Sequence, residues 1–414
     1  MRNTIIPFED FLGFQKVMFN KIVQNNQNLQ KAISILTNPP EVDVGITPAD
    51  IVYRLNDIKL LHYKPLTNTQ EPVPILIIYA LINKPYILDL QPDRSVVKFL
   101  LKNGYDVYLI DWGEPRENDH LLKVDDYVNN FIDKIVNIIL EDKGINQLTI
   151  LGYCMGGTLS TMYTALHPDK VKNLMVMAAP IYFDTDESLL HVWARPEYFD
   201  VDRVVDSFGN IPPEFLNGGY LFLDPIGNLY SKYIKFLENV NNDAFVRMFL
   251  RMEKWINDGI PLAGETFREF LRKGYQQNQL VQNKWKLNGR TVNLKKITMP
   301  VLNIVGSFDD LVPPTASKPF LDYVGSYDKK ELIMPTGHIG LSVSSKSHRD
   351  LWPQVVEWLR PRSQLNEIIR DIKSQTTLTD KTSENLEVSS ADEKKSKKRS
   401  RKRGTGSKKG KGKK

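Results

Sequence analysis

The sequence predicts an α/β protein whose mostly parallel sheet is covered by helices on both faces. Three observations carry the prediction: short runs that are almost continuously apolar, helix-like spacings between those runs, and 414 residues that are 41% hydrophobic and 25% charged. Strands of a parallel sheet are buried on both faces, so they lack the polar alternation of half-exposed strands. The length and composition suit one large globular domain with additions.

The N-terminal segment, residues 1–40, is predicted to be an amphipathic helix. Apolar residues recur at spacings of three and four between positions 9 and 37, and Asn38-Pro39-Pro40 ends the pattern. Such a helix either caps the core or binds a partner helix. The chain begins without a signal-peptide pattern, and no run reaches the roughly 18 to 20 apolar residues that span a bilayer. We therefore expect a cytoplasmic protein without a transmembrane segment.

The core of the domain is predicted over residues 41–180 and 291–361, where strand-like and helix-like patterns alternate. The expected strands, in chain order, are 57–63, 73–80, 105–111, 147–153, 173–180, 299–307 and 329–335. The expected helices lie near 93–103, near 125–141, from about 156 onward, and near 349–360.

Two segments depart from this rhythm. Residues 181–290 are rich in aromatic residues, Pro and Asn with mixed helical stretches, and are predicted to form a cap inserted over the edge of the sheet. Residues 362–414 have few large apolar residues, and from about 390 they are expected to be disordered. Residues 391–414 hold thirteen Lys or Arg against two acidic residues, a net charge of +11, so the preceding 390 residues carry a net −5.

A nucleophile elbow is the most informative local pattern. In residues 149–158 an apolar strand, the turn Gly152-Tyr153-Cys154-Met155-Gly156 and a helix follow one another. A nucleophile on so sharp a turn needs small residues two positions before and two after it. The helix N-terminus stabilises a thiolate, and the Met155 N–H is the expected oxyanion donor. The other interpretation is an inert core cysteine beside glycines that pack a helix.

The acid and base follow in the chain order of an α/β-hydrolase, which places nucleophile, acid and histidine in that sequence. His338 lies in the loop after the strand at 329–335, and Asp309 follows the strand at 299–307, with Asp310 as its competitor. The second oxyanion donor is predicted to be the Ile82 backbone N–H, although a plain structural turn explains residues 80–86 equally well. The other histidines are expected on the surface or in packing.

These residues resemble the polyhydroxyalkanoate synthase family, in which cysteine replaces the serine of the hydrolase elbow. Similar blocks are ALINKPYILDLQPDRS (80–95), YLIDWG (108–113), FGNIPPE (208–214), RMEKWINDGIPLAGETFR (251–268), LVPP and GHIG. The likeness spans roughly residues 45 to 360 and is to the shorter, two-subunit synthases. It implies that Cys154 carries the growing chain, served by Asp309 and His338, with no metal or redox cofactor because the coenzyme A thioester is the substrate.

The resemblance also implies a homodimer, a separate helical partner subunit, location on cytoplasmic polyester granules and short substrates such as (R)-3-hydroxybutyryl-coenzyme A. The Lys-rich tail is not part of the family pattern. It is predicted either to contact DNA or anionic lipid nonspecifically or to act only as a solubilising extension. Two other functions stay open: a hydrolase or depolymerase with the same three residues, and a noncatalytic scaffold on the granule surface.

Overall fold

A central sheet organises the computed structural model, which describes residues 8–364. Its strands and two small hairpins are β1 (Ala49–Leu55), β2 (Ile58–Tyr63), β3 (Ile75–Ile78), β4 (Asp89–Gln91), β5 (Arg94–Ser95), β6 (Val107–Asp111), β7 (Leu148–Tyr153), β8 (Val171–Met177), β9 (Lys286–Leu287), β10 (Arg290–Thr291), β11 (Val301–Gly306) and β12 (Lys329–Met334).

Helices precede, separate and follow these strands. They are α1 (Phe8–Thr37), α2 (Val96–Lys102), α3 (Asp133–Lys143), α4 (Met155–Leu166), α5 (Leu189–Trp193), α6 (Val201–Phe208), α7 (Pro213–Leu223), α8 (Lys232–Glu238), α9 (Asp243–Asn257), α10 (Gly264–Glu269), α11 (Pro314–Ser317), α12 (Phe320–Tyr323), α13 (Gly340–Val343), α14 (Ser345–Asp350) and α15 (Trp352–Leu359). Wider π-helical turns occupy Asp126–Ile132, Gly227–Ser231 and Phe270–Gln276.

The main sheet has eight strands in the order β1-β2-β6-β3-β7-β8-β11-β12. Strands β6, β3, β7, β8, β11 and β12 pair in parallel, whereas β1 and β2 add an antiparallel edge. Every residue of β3, β7 and β11 is buried, which explains their continuously apolar sequences. Because the six strands are parallel, their carboxyl ends share one edge, and the loops there can converge on one site.

The predicted α/β-hydrolase architecture with a mostly parallel sheet is therefore confirmed. Each predicted strand overlaps a strand of the main sheet, but β1 was not predicted. It is an edge strand with mostly exposed residues and a register shift between Ile51 and Tyr53, so it lacks a continuous apolar run. The strand order was not predicted either, because the composition of a buried strand does not identify its neighbours.

Between β8 and β11 the chain forms helices α5 to α10, within the region predicted as a cap. Helix α1 packs against this region through Ala32, which joins a buried cluster with Phe236, Val240, Phe249 and other residues of α8, α9 and their connection. Elsewhere along α1 the side chains of Val23, Leu29, Ile33 and Leu36 are exposed. Helix α1 thus packs on the region between β8 and β11, and the binding of a partner helix stays a prediction.

The compact unit continues to Ser363, two residues beyond the predicted end of the core. Arg362 forms two hydrogen bonds with the Asp328 carboxylate, at 2.9 and 2.8 Å, and Ser363 is buried. Among the described residues, no helix has the length and apolarity needed to cross a bilayer. Of the C-terminal extension predicted over residues 362–414, residues 365–414 lie outside the described part of the chain.

Candidate active site

Cys154 lies between the end of β7 and the first residue of α4. Its backbone has φ 55° and ψ −130°, a conformation that a non-glycine residue adopts only at a cost. The Cys154 N–H donates to Met177 O of β8 at 2.9 Å, and Cys154 O accepts from the Gly157 N–H of α4 at 2.8 Å. These two hydrogen bonds hold the turn between strand and helix. This geometry is the strained strand-to-helix turn that the sequence predicts.

Gly152 and Gly156 make the turn possible. A Cβ on Gly152 would lie 2.5 Å from Ser160 Oγ, and a Cβ on Gly156 would lie 2.2 Å from the Ile78 carbonyl oxygen. The second contact is with backbone of the neighbouring strand β3, which cannot move without disturbing the sheet. Any side chain at position 156 would therefore push α4 away from β3 and shift Cys154.

The structure brings His338 and Asp309 together at the same edge of the sheet. His338 Nδ1 lies 2.7 Å from Asp309 Oδ2, while Asp309 Oδ1 accepts from the N–H groups of Leu311 and Val312 at 3.0 and 2.8 Å. Asp309 is buried, whereas Asp310 is exposed. The structure thus places Asp309, rather than its competitor Asp310, against the imidazole.

The pKa of His338 is raised to about 10. Burial alone lowers the pKa of an imidazole, but here the Asp309 and Cys154 charges and their hydrogen bonds to the ring outweigh that effect. The imidazolium form is therefore stabilised between a carboxylate on one side and the sulfur on the other. Such an arrangement can hold a thiolate and return a proton to a leaving group.

The two backbone groups predicted as oxyanion donors border the same cavity as Cys154. Met155 is the first residue of α4, where a backbone N–H has no acceptor within the helix. Ile82 lies in the turn after β3, and both residues line the cavity with Cys154. Both residues therefore lie where the sequence predicts the oxyanion donors, and their role as donors stays a prediction.

Sequence reasoning did not identify the tyrosines around the site. The Tyr153 hydroxyl donates to His338 O at 3.0 Å, and its ring stacks on the imidazole with centroids 5.3 Å apart. Burial, with the Cys154 charge next, raises the pKa of Tyr153, Tyr220 and Tyr275, so they stay neutral. Tyr153 is part of the elbow sequence, but Tyr220 and Tyr275 reach the site only because the 181–290 region folds over it.

Cys154 borders two cavities. The first, of about 510 Å³, is almost wholly apolar and is lined by Trp193, Phe199, Phe270 and other residues. The second, of about 480 Å³, carries more polar groups, among them Asn83, Lys232, Asp310 and His338. Cys154, Ile82, Tyr220 and Leu311 border both cavities. Cys154 thus borders two adjoining spaces.

The fold and this edge of the sheet place the protein among the α/β-hydrolases. A family model described as the alpha/beta hydrolase fold matches residues 73–344, and one described as the N-terminus of poly-beta-hydroxybutyrate polymerase matches residues 15–100. Curated relatives give the narrower family. By these comparisons the chain belongs to the poly(3-hydroxyalkanoate) polymerase family, as its polymerase subunit, and the resemblance stated from the sequence is confirmed.

Three of these relatives are named poly(3-hydroxyalkanoate) polymerase subunits. That of Haloferax mediterranei is 54% identical over 324 residues, which cover 78% of this chain and 66% of that protein. That of Haloarcula marismortui is 48% identical, covering 87% and 78%. That of Allochromatium vinosum is 42% identical, covering 83% and 96%. The aligned region spans nearly all of the Allochromatium protein but just under two thirds of the Haloferax protein.

Proposed function

We propose that this chain polymerises (R)-3-hydroxyacyl groups from their coenzyme A thioesters through a covalent thioester on Cys154. The observation that carries the proposal is the position of the Cys154 sulfur, on a strained elbow beside His338 and at the meeting point of two cavities. Family membership supports the polymerisation, and the arrangement of the site supports the assignment of roles.

In the acylation step the Cys154 thiolate attacks the thioester carbonyl carbon. The carbonyl oxygen takes the negative charge of the tetrahedral intermediate and accepts from the N–H groups of Met155 and Ile82. The carbon–sulfur bond to coenzyme A then breaks, and the His338 imidazolium gives its proton to the departing thiolate. One thioester replaces another at nearly equal free energy, so the acyl group stays activated.

In the elongation step the hydroxyl of the next 3-hydroxyacyl-coenzyme A attacks the acyl group on Cys154. Neutral His338 takes the hydroxyl proton, the new ester bond forms, and the bond to Cys154 sulfur breaks. The product is a coenzyme A thioester longer by one unit. Since the chain has a single cysteine, the freed Cys154 attacks that thioester in turn and releases coenzyme A.

The cap region has a physical role in this cycle, because hydrolysis of the acyl-enzyme would end the chain. Residues of α5, α7, α10 and the turn at Phe270–Gln276 line an apolar cavity beside Cys154 that disfavours water. Two cavities beside Cys154 allow one to hold the acyl group while the hydroxyl enters from the other. By resemblance we extend the proposal to a homodimer with a separate helical partner subunit, bound to polyester granules.

The proposal is tested by intact-mass spectrometry after brief incubation with 3-hydroxybutyryl-coenzyme A. We expect an added acyl mass on the wild type, coenzyme A release, and loss of the added mass in hydroxylamine, which cleaves thioesters. Cys154→Ala is the matched control and should show no adduct. Because the chain has one cysteine, a labile adduct that this variant lacks is assigned without mapping.

The same experiment separates the two other functions. Release of free 3-hydroxybutyrate without chain extension would indicate a hydrolase. A wild type that gains no acyl mass, even with a helical partner subunit present, would contradict the proposal and favour a noncatalytic scaffold.

A further inference from the structure

Helix α7 (Pro213–Leu223) is a wall between the two cavities. Phe215, Gly218, Gly219 and Phe222, at the spacing of one helical face, line the apolar cavity. Asn217, Tyr220, Leu221 and Asp224, on another face and its end, line the second cavity. A single helix thus forms one side of both spaces next to Cys154.

Leu216 and Tyr220 of α7 also line the apolar cavity, but between Phe215 and Phe222 the row that faces it carries no side chain. Gly218 and Gly219 lie between two phenylalanines, and a Cβ built on either glycine meets no atom within 4 Å. Neither glycine has a positive φ within the described chain, so no turn requires them. In the part of the chain that the structure describes, no other element packs closely against Gly218 or Gly219, whereas β3 packs closely against Gly156.

Glycine inside a helix carries a cost, because it loses more backbone entropy on folding than alanine does. Two adjacent glycines at the middle of an eleven-residue helix are therefore unfavourable for folding. Since neither a turn nor close packing accounts for the two glycines, what they provide is the open space where a side chain would otherwise lie. That space belongs to the cavity that holds the Cys154 sulfur.

We propose that Gly218 and Gly219 determine which acyl groups Cys154 accepts, by leaving a notch in α7 that admits the substituent at C3 of the acyl chain. This inference rests on the proposed function. A methyl group at either position projects into the cavity and takes up part of the space that α7 shares with the other lining residues, among them Phe270 and Tyr275. The reduced cavity should hinder acyl groups with longer substituents at C3 the most, and the methyl substituent of a 3-hydroxybutyryl group the least.

The test compares acylation of Cys154 by (R)-3-hydroxybutyryl-coenzyme A and (R)-3-hydroxyhexanoyl-coenzyme A in rapid-quench intact-mass experiments. The variants are Gly218→Ala, Gly219→Ala and Gly219→Ser. Ser207→Ala is the control, because it changes an exposed residue of α6 that lines neither cavity. We expect each α7 variant to lower the hexanoyl rate relative to the butyryl rate at least about tenfold, the effect of a crowded apolar pocket.

Thermal unfolding distinguishes crowding of the cavity from destabilisation of the fold. Alanine favours a helix more than glycine, so Gly218→Ala and Gly219→Ala should unfold at an unchanged or higher temperature. Equal losses with both substrates, no loss with either, or a wild type that accepts the butyryl but not the hexanoyl group would each overturn the inference. A wild type acylated by neither substrate would instead refute the proposed function.

Discussion

The paired side chains of His338 and Asp309 set the protonation of the site. Asp309→Asn keeps the shape of the acid but removes its charge, and that charge helps to raise the pKa of His338 to about 10. We expect the imidazole of the variant to lose its proton at a clearly lower pH. Nitrogen-15 spectra of histidine-labelled protein across a pH series measure this directly, with Asp310→Asn as the neighbouring control.

The sign of the accompanying stability change follows from the raised pKa. The stabilising effect of charged His338 is complete below its ordinary value of 6.5 and is lost as pH rises through about 10. In Asp309→Asn this loss should begin at lower pH. An unchanged His338 titration in the variant would mean that Asp309 does not control the protonation of the ring.

His191 is a second buried histidine with the opposite behaviour. It is 3% exposed, its ring nitrogens have no hydrogen-bond partner among the described residues, and burial lowers its pKa to about 4. His191 takes up a proton near pH 6.5 in the unfolded chain but only near pH 4 in the folded chain. The free energy of unfolding should therefore fall by roughly 2 kcal/mol between pH 7 and pH 5 because of this residue.

His191→Phe should remove that acid sensitivity. A phenyl ring suits the neighbouring ring of Tyr275, 4.8 Å away, and leaves no polar atom without a partner. Urea unfolding at pH 7 and pH 5 measures the change, with His120→Phe as the control for losing a histidine elsewhere. An equal fall in stability for the wild type and His191→Phe would contradict the assignment.

At the scale of elements, helix α9 holds the turn that carries Ile82. Trp255 Nε1 donates to Lys84 O at 2.9 Å, and at the end of the same helix Asp258 Oδ2 accepts from the Tyr86 hydroxyl at 2.7 Å. The turn itself contains Asn83 with a φ of 106°, so its backbone needs external support. The cap region thereby positions a part of the core as well as covering it.

Trp255→Phe should lower the turnover number of the polymerase about tenfold, because the Ile82 N–H is no longer held in place. The KM should change less than the turnover number, because Phe keeps an aromatic ring at position 255 in the lining of the second cavity and only the hydrogen bond to Lys84 is lost. Trp358→Phe is a matched control: Trp358 is also buried, but its indole N–H has no hydrogen-bond partner among the described residues. Equal effects of the two substitutions on turnover would show that only general packing was disturbed.

At the scale of the whole molecule, the features that the sequence predicts are those that depend on residues close together in the chain. The apolar strands and the elbow at Cys154 depend on neighbouring residues, so they can be identified without a structure. His338 follows from its place after a late strand. The sequence favours Asp309 over Asp310 less strongly, because adjacent residues in a loop differ mainly in the direction of their side chains.

Long-range packing accounts for what the sequence did not predict. The sheet order requires knowledge of which buried strands meet, and the exposed edge strand β1 has no continuous apolar run. Tyr220 and Tyr275 are far from Cys154 in sequence and reach it only through the folded cap region. The two cavities, and α7 between them, likewise depend on the assembled structure.

Cys154 is the sole sulfhydryl of the chain and is partly accessible to solvent. A thiol-reactive fluorophore or spin label therefore attaches at one atom, where the two cavities meet. Counting reactive thiols before and after denaturation gives the fraction of molecules in which that atom is open to reagent. The same chemistry titrates the proposed nucleophile of a preparation and places a spectroscopic reporter where the two cavities meet, with no residue engineered in or out.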